Sequence, residues 1–271
     1  MGEVRAKKAL GQHFLVDLNI ARKICDSLSG GSAAGGPCTV LEVGCGMGVL
    51  TQFLLRRSDI VTWGAEIDPE SVAYLHAHYP EFAPRLVAGD FLGMNLRERF
   101  PEGLKIIGNF PYNISSQIFF KVLENRDLVP ECVGMIQKEV AVRLAEPPGS
   151  KEYGILSVLL QAWYDIEYLF TVGEKVFNPP PKVDSSFMVL EKLEQPSVNA
   201  GDEEIFTRLV RSAFAMRRKT LLNNLVSGFS LNREQAAACL AAANLSAQAR
   251  AEELSLEDFA GLAIQLQNTI R

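Results

Sequence analysis

Histidine is scarce, with three residues in 271, tryptophan occurs twice, and no two of the five cysteines form a C-x-x-C pair. Cys25, Cys38, Cys45, Cys132 and Cys239 lie far apart with no histidine at ligand spacing, which excludes a zinc site and a disulfide framework. Their odd number and apolar neighbours fit reduced, buried thiols, and no metal is expected. Long apolar runs are missing as well. The longest, such as residues 155–160, fall far short of the roughly 18 to 20 residues that a membrane-spanning helix needs. Residues 1–8 mix charges with small side chains and have no secretory core, so a cytoplasmic protein without a membrane partner is expected. Positive charge is in deficit overall, at −5, which counts against a uniformly basic nucleic-acid binder. Its distribution is uneven. Residues 205–225 hold Arg208, Arg211, Arg217, Arg218 and Lys219 and no acid. Residues 1–23 hold five cations against Glu3 and Asp17. Two basic segments on an acidic body permit local phosphate contact.

Short β-branched runs at residues 39–43, 60–66, 85–88, 105–109 and 133–137 alternate with helical patterns at 48–57, 69–79, 115–124 and 138–145. Repeated βα units of this length predict an α/β fold with a parallel, doubly wound sheet. Residues 164–172 and 185–192 alternate without an intervening helix and read as an antiparallel addition at the sheet edge. The glycine-rich stretch 29–37 reads as a flexible loop. Residues 194–204 (EQPSVNAGDEE) are polar with Pro and Gly, a linker composition. Beyond it the pattern is purely helical, at 205–215, 219–226, 233–243 and 256–266. The expected organisation is a domain over 1–193, a linker over 194–204 and a smaller all-helical domain over 205–271.

Residues 40–51 (VLEVGCGMGVLT) run from a strand through E-x-G-x-G-x-G into a helix. Glycines at 44, 46 and 48 let the backbone turn tightly and let a ligand approach the main chain. A dinucleotide fingerprint needs its third glycine at position 49, where this chain has Val49, and this disfavours a nicotinamide cofactor. Glu66, at the end of the second strand, can accept both ribose hydroxyls of a nucleoside. At the third strand end, Asp90 can accept from an adenine amino group beside Phe91. Three consecutive strand tips thus converge on one adenosine. The fourth strand ends in Asn109-Phe110-Pro111-Tyr112, which fits the (N/D)-P-P-(Y/F/W)-like pattern of enzymes that methylate exocyclic amines. An adenine N6 lone pair is delocalised into the ring, so the nitrogen attacks poorly until its hydrogens are held in pyramidal geometry. The Asn109 side-chain carbonyl and the Phe110 main-chain carbonyl can supply the acceptors, and Tyr112 can stack on a base taken out of its helix or loop. His76 and His78 read as surface residues.

With these segments the chain resembles the bacterial small-subunit (16S) ribosomal RNA adenine dimethyltransferase family nearly end to end. The resemblance rests on KKALGQHFL at 7–15, NFPYNISS at 109–116, QKEVAVRL at 137–144, FNPPPKVDS at 177–185 and FAMRRKTLLNNL at 214–225. His13 stands where many members have Asn. What this implies is a Rossmann-like class I methyltransferase domain and S-adenosylmethionine as cofactor, contacted by His13, Leu15, Gly44, Glu66, Asp90 and Asn109. Phe177 is then the second face of an adenine sandwich opposite Tyr112, and Arg217, Arg218 and Lys219 contact RNA. The implied reaction is dimethylation of the N6 amine of two adjacent adenosines in a hairpin loop near the 3′ end of 16S rRNA, by a monomer acting on the immature small subunit. Two alternatives are a large-subunit methyltransferase of the antibiotic-resistance type and a non-catalytic ribosome-assembly factor.

Overall fold

The computed structural model describes residues 4–31 and 35–270. Parts of the N-terminal stretch 1–8 and of the loop 29–37 therefore lie outside the described residues, as does residue 271. The strands are β1 (Phe14–Leu15), β2 (Cys38–Val43), β3 (Ile60–Glu66), β4 (Leu86–Ala88), β5 (Lys105–Asn109), β6 (Glu131–Gln137), β7 (Tyr164–Val172), β8 (Phe177–Asn178) and β9 (Ser185–Lys192). The α-helices are α1 (Leu18–Asp26), α2 (Thr51–Leu54), α3 (Pro69–His78), α4 (Leu96–Arg99), α5 (Ser115–Glu124), α6 (Lys138–Ala145), α7 (Ile155–Trp163), α8 (Glu203–Ala215), α9 (Leu221–Phe229), α10 (Arg233–Ala242) and α11 (Leu256–Ile270).

Seven strands form one sheet in the order β4-β3-β2-β5-β6-β9-β7, parallel from β4 to β6 and antiparallel between β6 and β9. This is the α/β class read from the sequence, with the antiparallel addition at the expected edge. Strand β6 is buried at six consecutive positions, because a sheet covered on both faces needs apolar residues on both sides of the pleat. The strand order reverses at β2, whose neighbours β3 and β5 lead their connections to opposite sides and leave a crevice at the strand tips. The helix expected at 48–57 is only α2, because Gly48 at φ +78° belongs to the turn that precedes it. Helices α1, α4 and α7 and the two-residue strands β1 and β8 were not anticipated. β1 and β8 form a separate antiparallel ladder, Phe14 opposite Asn178 and Leu15 opposite Phe177, whose partners are too far apart in sequence to announce each other.

The chain divides into two compact units, Met1–Ala141 with Ile166–Lys192, and Val142–Asp165 with Leu193–Arg271. The first holds the sheet and both glycine-rich and aromatic strand tips. The second holds α7 to α11, so it recruits α7 from the region expected to belong wholly to the first domain. The physical reason is local: seven of the nine α7 residues are buried, a helix too apolar to leave one side in water. Within this unit Trp163 stands edge-on to Phe206 at 5.6 Å, and Tyr153 to Phe214 at 6.1 Å. All five cysteines are buried free thiols. Among the described residues no helix is long and apolar enough to cross a membrane.

Candidate active site

The tips of β2, β3 and β5 and the loop after β4 open onto one cavity, also lined by the segment from Leu10 to Phe14. Gly44 lies at φ +75° and Gly46 at φ +53°, conformations that an L side chain adopts at a cost. A Cβ on Gly46 would also come within 3.0 Å of the Phe14 ring. Gly48 serves packing instead, since a Cβ there would come within 2.5 Å of the Tyr79 ring and the residue sits against α3 rather than lining the cavity.

Glu66 is 4% exposed and lines the cavity. Its Oε2 accepts the Gly46 N–H at 2.8 Å and its Oε1 the Asp68 N–H at 2.8 Å, so the carboxylate ties the end of β3 to the glycine turn. Burial raises its pKa, partly offset by those amides. Asp68, which as a strand-end carboxylate would ordinarily be exposed, is fully buried. It caps α3 by accepting from Glu70 N–H, and it receives Lys7 Nζ at 2.5 Å and Gln12 Nε2 at 3.3 Å. Burial pushes the Asp68 carboxyl up, but those donors outweigh it and the net shift is below its ordinary value. The pair of contacts clasps the N-terminal segment over the strand tips.

That segment reaches the fourth tip. Asn109 Nδ2 donates to the His13 carbonyl at 2.8 Å. Only the amide NH2 can donate there, so the contact fixes which way the side chain faces and leaves Oδ1 as an acceptor. Phe110 is 1% exposed, and its ring sits over the cross-strand glycines Gly108 and Gly134, where either Cβ would clash with it. The ring therefore anchors the turn while the Phe110 carbonyl accepts from no described residue. Tyr112 shares a short hydrogen bond with Ser185 Oγ, and its ring stacks on His13 at 5.1 Å and 30°. Burial raises the Tyr112 phenol, which stays neutral. His13 Nδ1–H donates to the Pro179 carbonyl at 2.8 Å.

Of the residues singled out in the sequence, His13, Gly44, Glu66, Asp90, Asn109, Phe110 and Tyr112 line the one cavity. Two do not. Leu15 and Phe177 are each 3% exposed and pair across β1 and β8 within the hydrophobic core. Phe177 thus packs in the core, and the ring stacked on Tyr112 is that of His13. Gln12, Phe14 and Lys121 were missed. Lys121 on α5 donates to the Leu92 carbonyl at 2.8 Å and the Met94 carbonyl at 2.6 Å, with its ammonium 5.4 Å from the Phe91 ring centroid. It holds the loop that presents Asp90, whose Oδ1 accepts the Leu92 N–H at 2.9 Å. A lone lysine on a helix gives no sequence signal for this. Arg217, Arg218 and Lys219 are exposed in the turn between α8 and α9. Arg217 Nη2 donates to the Lys151 and Tyr153 carbonyls, both at 2.9 Å. His76 and His78 are exposed, as expected.

Comparison with known proteins places these features in a group. Residues 3–268 match the family model described as Ribosomal RNA adenine dimethylase. The chain is 50% identical to the Ribosomal RNA small subunit methyltransferase A of Porphyromonas gingivalis, over 98% of this chain and 100% of that one. It is 47% identical to the protein of the same name from Bacteroides thetaiotaomicron, over 99% and 96%. Among solved structures it is similar to a dimethyladenosine transferase from Plasmodium falciparum, with TM-score 0.75, 25% identity and coverage of 95% and 98%. It is also similar to the 23S rRNA methyltransferase ErmE, with TM-score 0.67, 25% identity and coverage of 94% and 99%.

Proposed function

The chain belongs to the ribosomal RNA adenine dimethylase family, and from that premise we propose that it dimethylates the N6 amines of two adjacent adenosines in a hairpin loop near the 3′ end of 16S ribosomal RNA. S-adenosylmethionine is the methyl donor. The observation that carries this reading is the Asn109 amide, turned by the His13 carbonyl so that Oδ1 remains an acceptor at the rim of a cavity with carboxylates at two other tips.

The cavity fits the donor. Two glycines at positive φ let a ligand approach the main chain, and Glu66 and Asp90 offer acceptors where a nucleoside presents hydroxyls and an amine. When bound, S-adenosylmethionine supplies a methyl group activated by its sulfonium. Each Glu66 oxygen, already holding one amide, keeps a second lone pair for a ribose hydroxyl. Asp90 accepts its loop amide through Oδ1 and has Oδ2 for the adenine amino group. The N-terminal segment, His13 and Gln12 above all, closes over the donor. Asn109 Oδ1 and the Phe110 carbonyl hold the two hydrogens of the target N6 and favour its pyramidal form. Tyr112, kept in place by Ser185 with His13 against its ring, offers the extruded base a stacking surface. Leu15 and Phe177 act only through packing.

The small-subunit assignment rests on relatives near 50% identical over full length, against 25% for the large-subunit enzyme. The protein works in the cytoplasm as a monomer, on an immature small subunit, with Arg218 and Lys219 contacting RNA. Mass spectrometry of small-subunit RNA from cells with and without this protein tests the reading: two neighbouring dimethyladenosines should vanish in its absence. Unchanged modification would leave only the assembly role.

A further inference from the structure

Outside the cavity, one exposed face of the sheet-bearing unit gathers cations around aromatic rings. On α1, Arg22 and Lys23 are exposed, and Arg56 is exposed just after α2. The Arg22 guanidinium carbon lies 5.4 Å from the centroid of the half-buried Phe53 ring, and that of Arg56 lies 5.9 Å from the same centroid. Lys23 Nζ lies 5.9 Å from the Phe170 ring centroid. None of these three cations forms an ion pair among the described residues. Their neighbour Arg57 shows the contrast: it is committed to Asp59 and to the Cys25 and Leu28 carbonyls. Asp26, the acid that ends α1, is exposed and makes no ion pair with Arg22 or Lys23.

The two guanidinium carbons lie 5.4 and 5.9 Å from one ring centroid, where the ring face attracts a cation, and neither is in an ion pair among the described residues. On an acidic molecule this leaves a local positive face, and arginine is the residue suited to bind phosphate oxygens while stacked on an aromatic ring. The chain distance points the same way. From the cavity-lining Phe14 to Arg22 there are eight residues, the second half helical, so the two are at most about 20 Å apart. Along a nucleic-acid strand that corresponds to roughly six nucleotides.

We propose that Arg22, Lys23 and Arg56, arrayed over Phe53 and Phe170, form an RNA-backbone docking surface that grips phosphates flanking the hairpin whose loop enters the cavity. The inference rests on the reading that this chain acts on small-subunit RNA. The surface positions RNA without reading its sequence.

Binding of the full-length protein to immature small subunits, measured from low to moderate salt, tests it. Arg22→Gln with Arg56→Gln keeps the stems over Phe53 and removes both charges. Affinity should fall about tenfold, and the slope of log affinity against log salt should shrink by about 1.4 to 1.8. Arg22→Lys with Arg56→Lys should recover most of the loss, while S-adenosylmethionine affinity and thermal midpoint stay at wild-type values. Wild-type affinity and slope in a folded Gln variant would overturn the docking surface. So would a loss of equal size at every salt concentration, or equal weakening of an acidic peptide and RNA. Failure of the wild-type protein itself to bind small subunits would instead remove the reading beneath it.

Discussion

At the scale of single residues, the contact that matters most for methyl transfer is the one that holds Asn109. Its NH2 is spent on the His13 carbonyl at 2.8 Å, so the side chain does not rotate freely and its Oδ1 is a fixed acceptor. Replacing Asn109 with Ala removes that acceptor and leaves one N6 hydrogen unheld. Turnover should fall by about two to three powers of ten while the fold persists. The second transfer, to an amine that is bulkier and has one hydrogen, depends still more on positioning. Residual product in single-turnover assays on immature small subunits should therefore be enriched in monomethyladenosine, and near-normal dimethylation would shift the role to the Phe110 carbonyl. Asn109, Glu66 and Asp90 could be read from the sequence because each is a polar residue at the end of an apolar run. Phe177 could not be placed that way. An aromatic before three prolines stacks or fills a core according to what surrounds it, and here β1, 162 residues away at Leu15, supplies the core.

At the scale of elements, Glu42 joins β2 to α2 from inside the fold. It is 1% exposed, and Thr51 Oγ1 donates to its Oε2 at 2.6 Å. Burial, with the charge of Glu66 adding to it, pushes the Glu42 carboxyl from its ordinary 4.5 up to about 8. The folded state thus keeps a proton that the unfolded chain releases, so stability is greatest below the unfolded value and declines as pH rises from about 4.5 to about 8. At its steepest this contribution approaches about 1.4 kcal/mol per pH unit. Glu42→Gln retains an acceptor for Thr51 without a proton to lose, and its denaturant midpoint should vary less with pH over that window than that of the wild type. Parallel pH profiles for the two proteins would exclude the effect. The sequence offers Glu42 as one more residue of a glycine-rich motif. Its burial is a consequence of α2 starting three residues after the last glycine of the turn.

At the scale of the whole molecule, the basic run at 217–219 divides its labour. Arg217 ties the α8–α9 turn to the carbonyls of Lys151 and Tyr153, joining within one compact unit two stretches of chain that sequence separates. Arg217→Ala should lower the thermal midpoint, at a cost of about 1 to 2 kcal/mol given that the side chain is 48% exposed. Arg218 and Lys219 are exposed in the same turn. Changing both to Ala should leave the midpoint alone while weakening RNA binding and reducing its salt slope. Calorimetry and salt-dependent binding on the two variants separate the roles; equal loss of stability in both would reject the division.

The sequence by itself determined the parallel sheet, its antiparallel edge, the helical second part and the convergence of three strand tips, because hydrophobic period and glycine placement act over a few neighbouring residues. It determined the family through motifs spread over nearly the whole chain. Tertiary structure alone decided that α7 packs with the C-terminal helices, that Leu15 and Phe177 are core, that the His13 ring stacks on Tyr112, and that Lys121 holds the Asp90 loop. Each of these depends on contacts between residues remote in sequence, where a side chain's role is set by the surface it meets and not by its own period or neighbours.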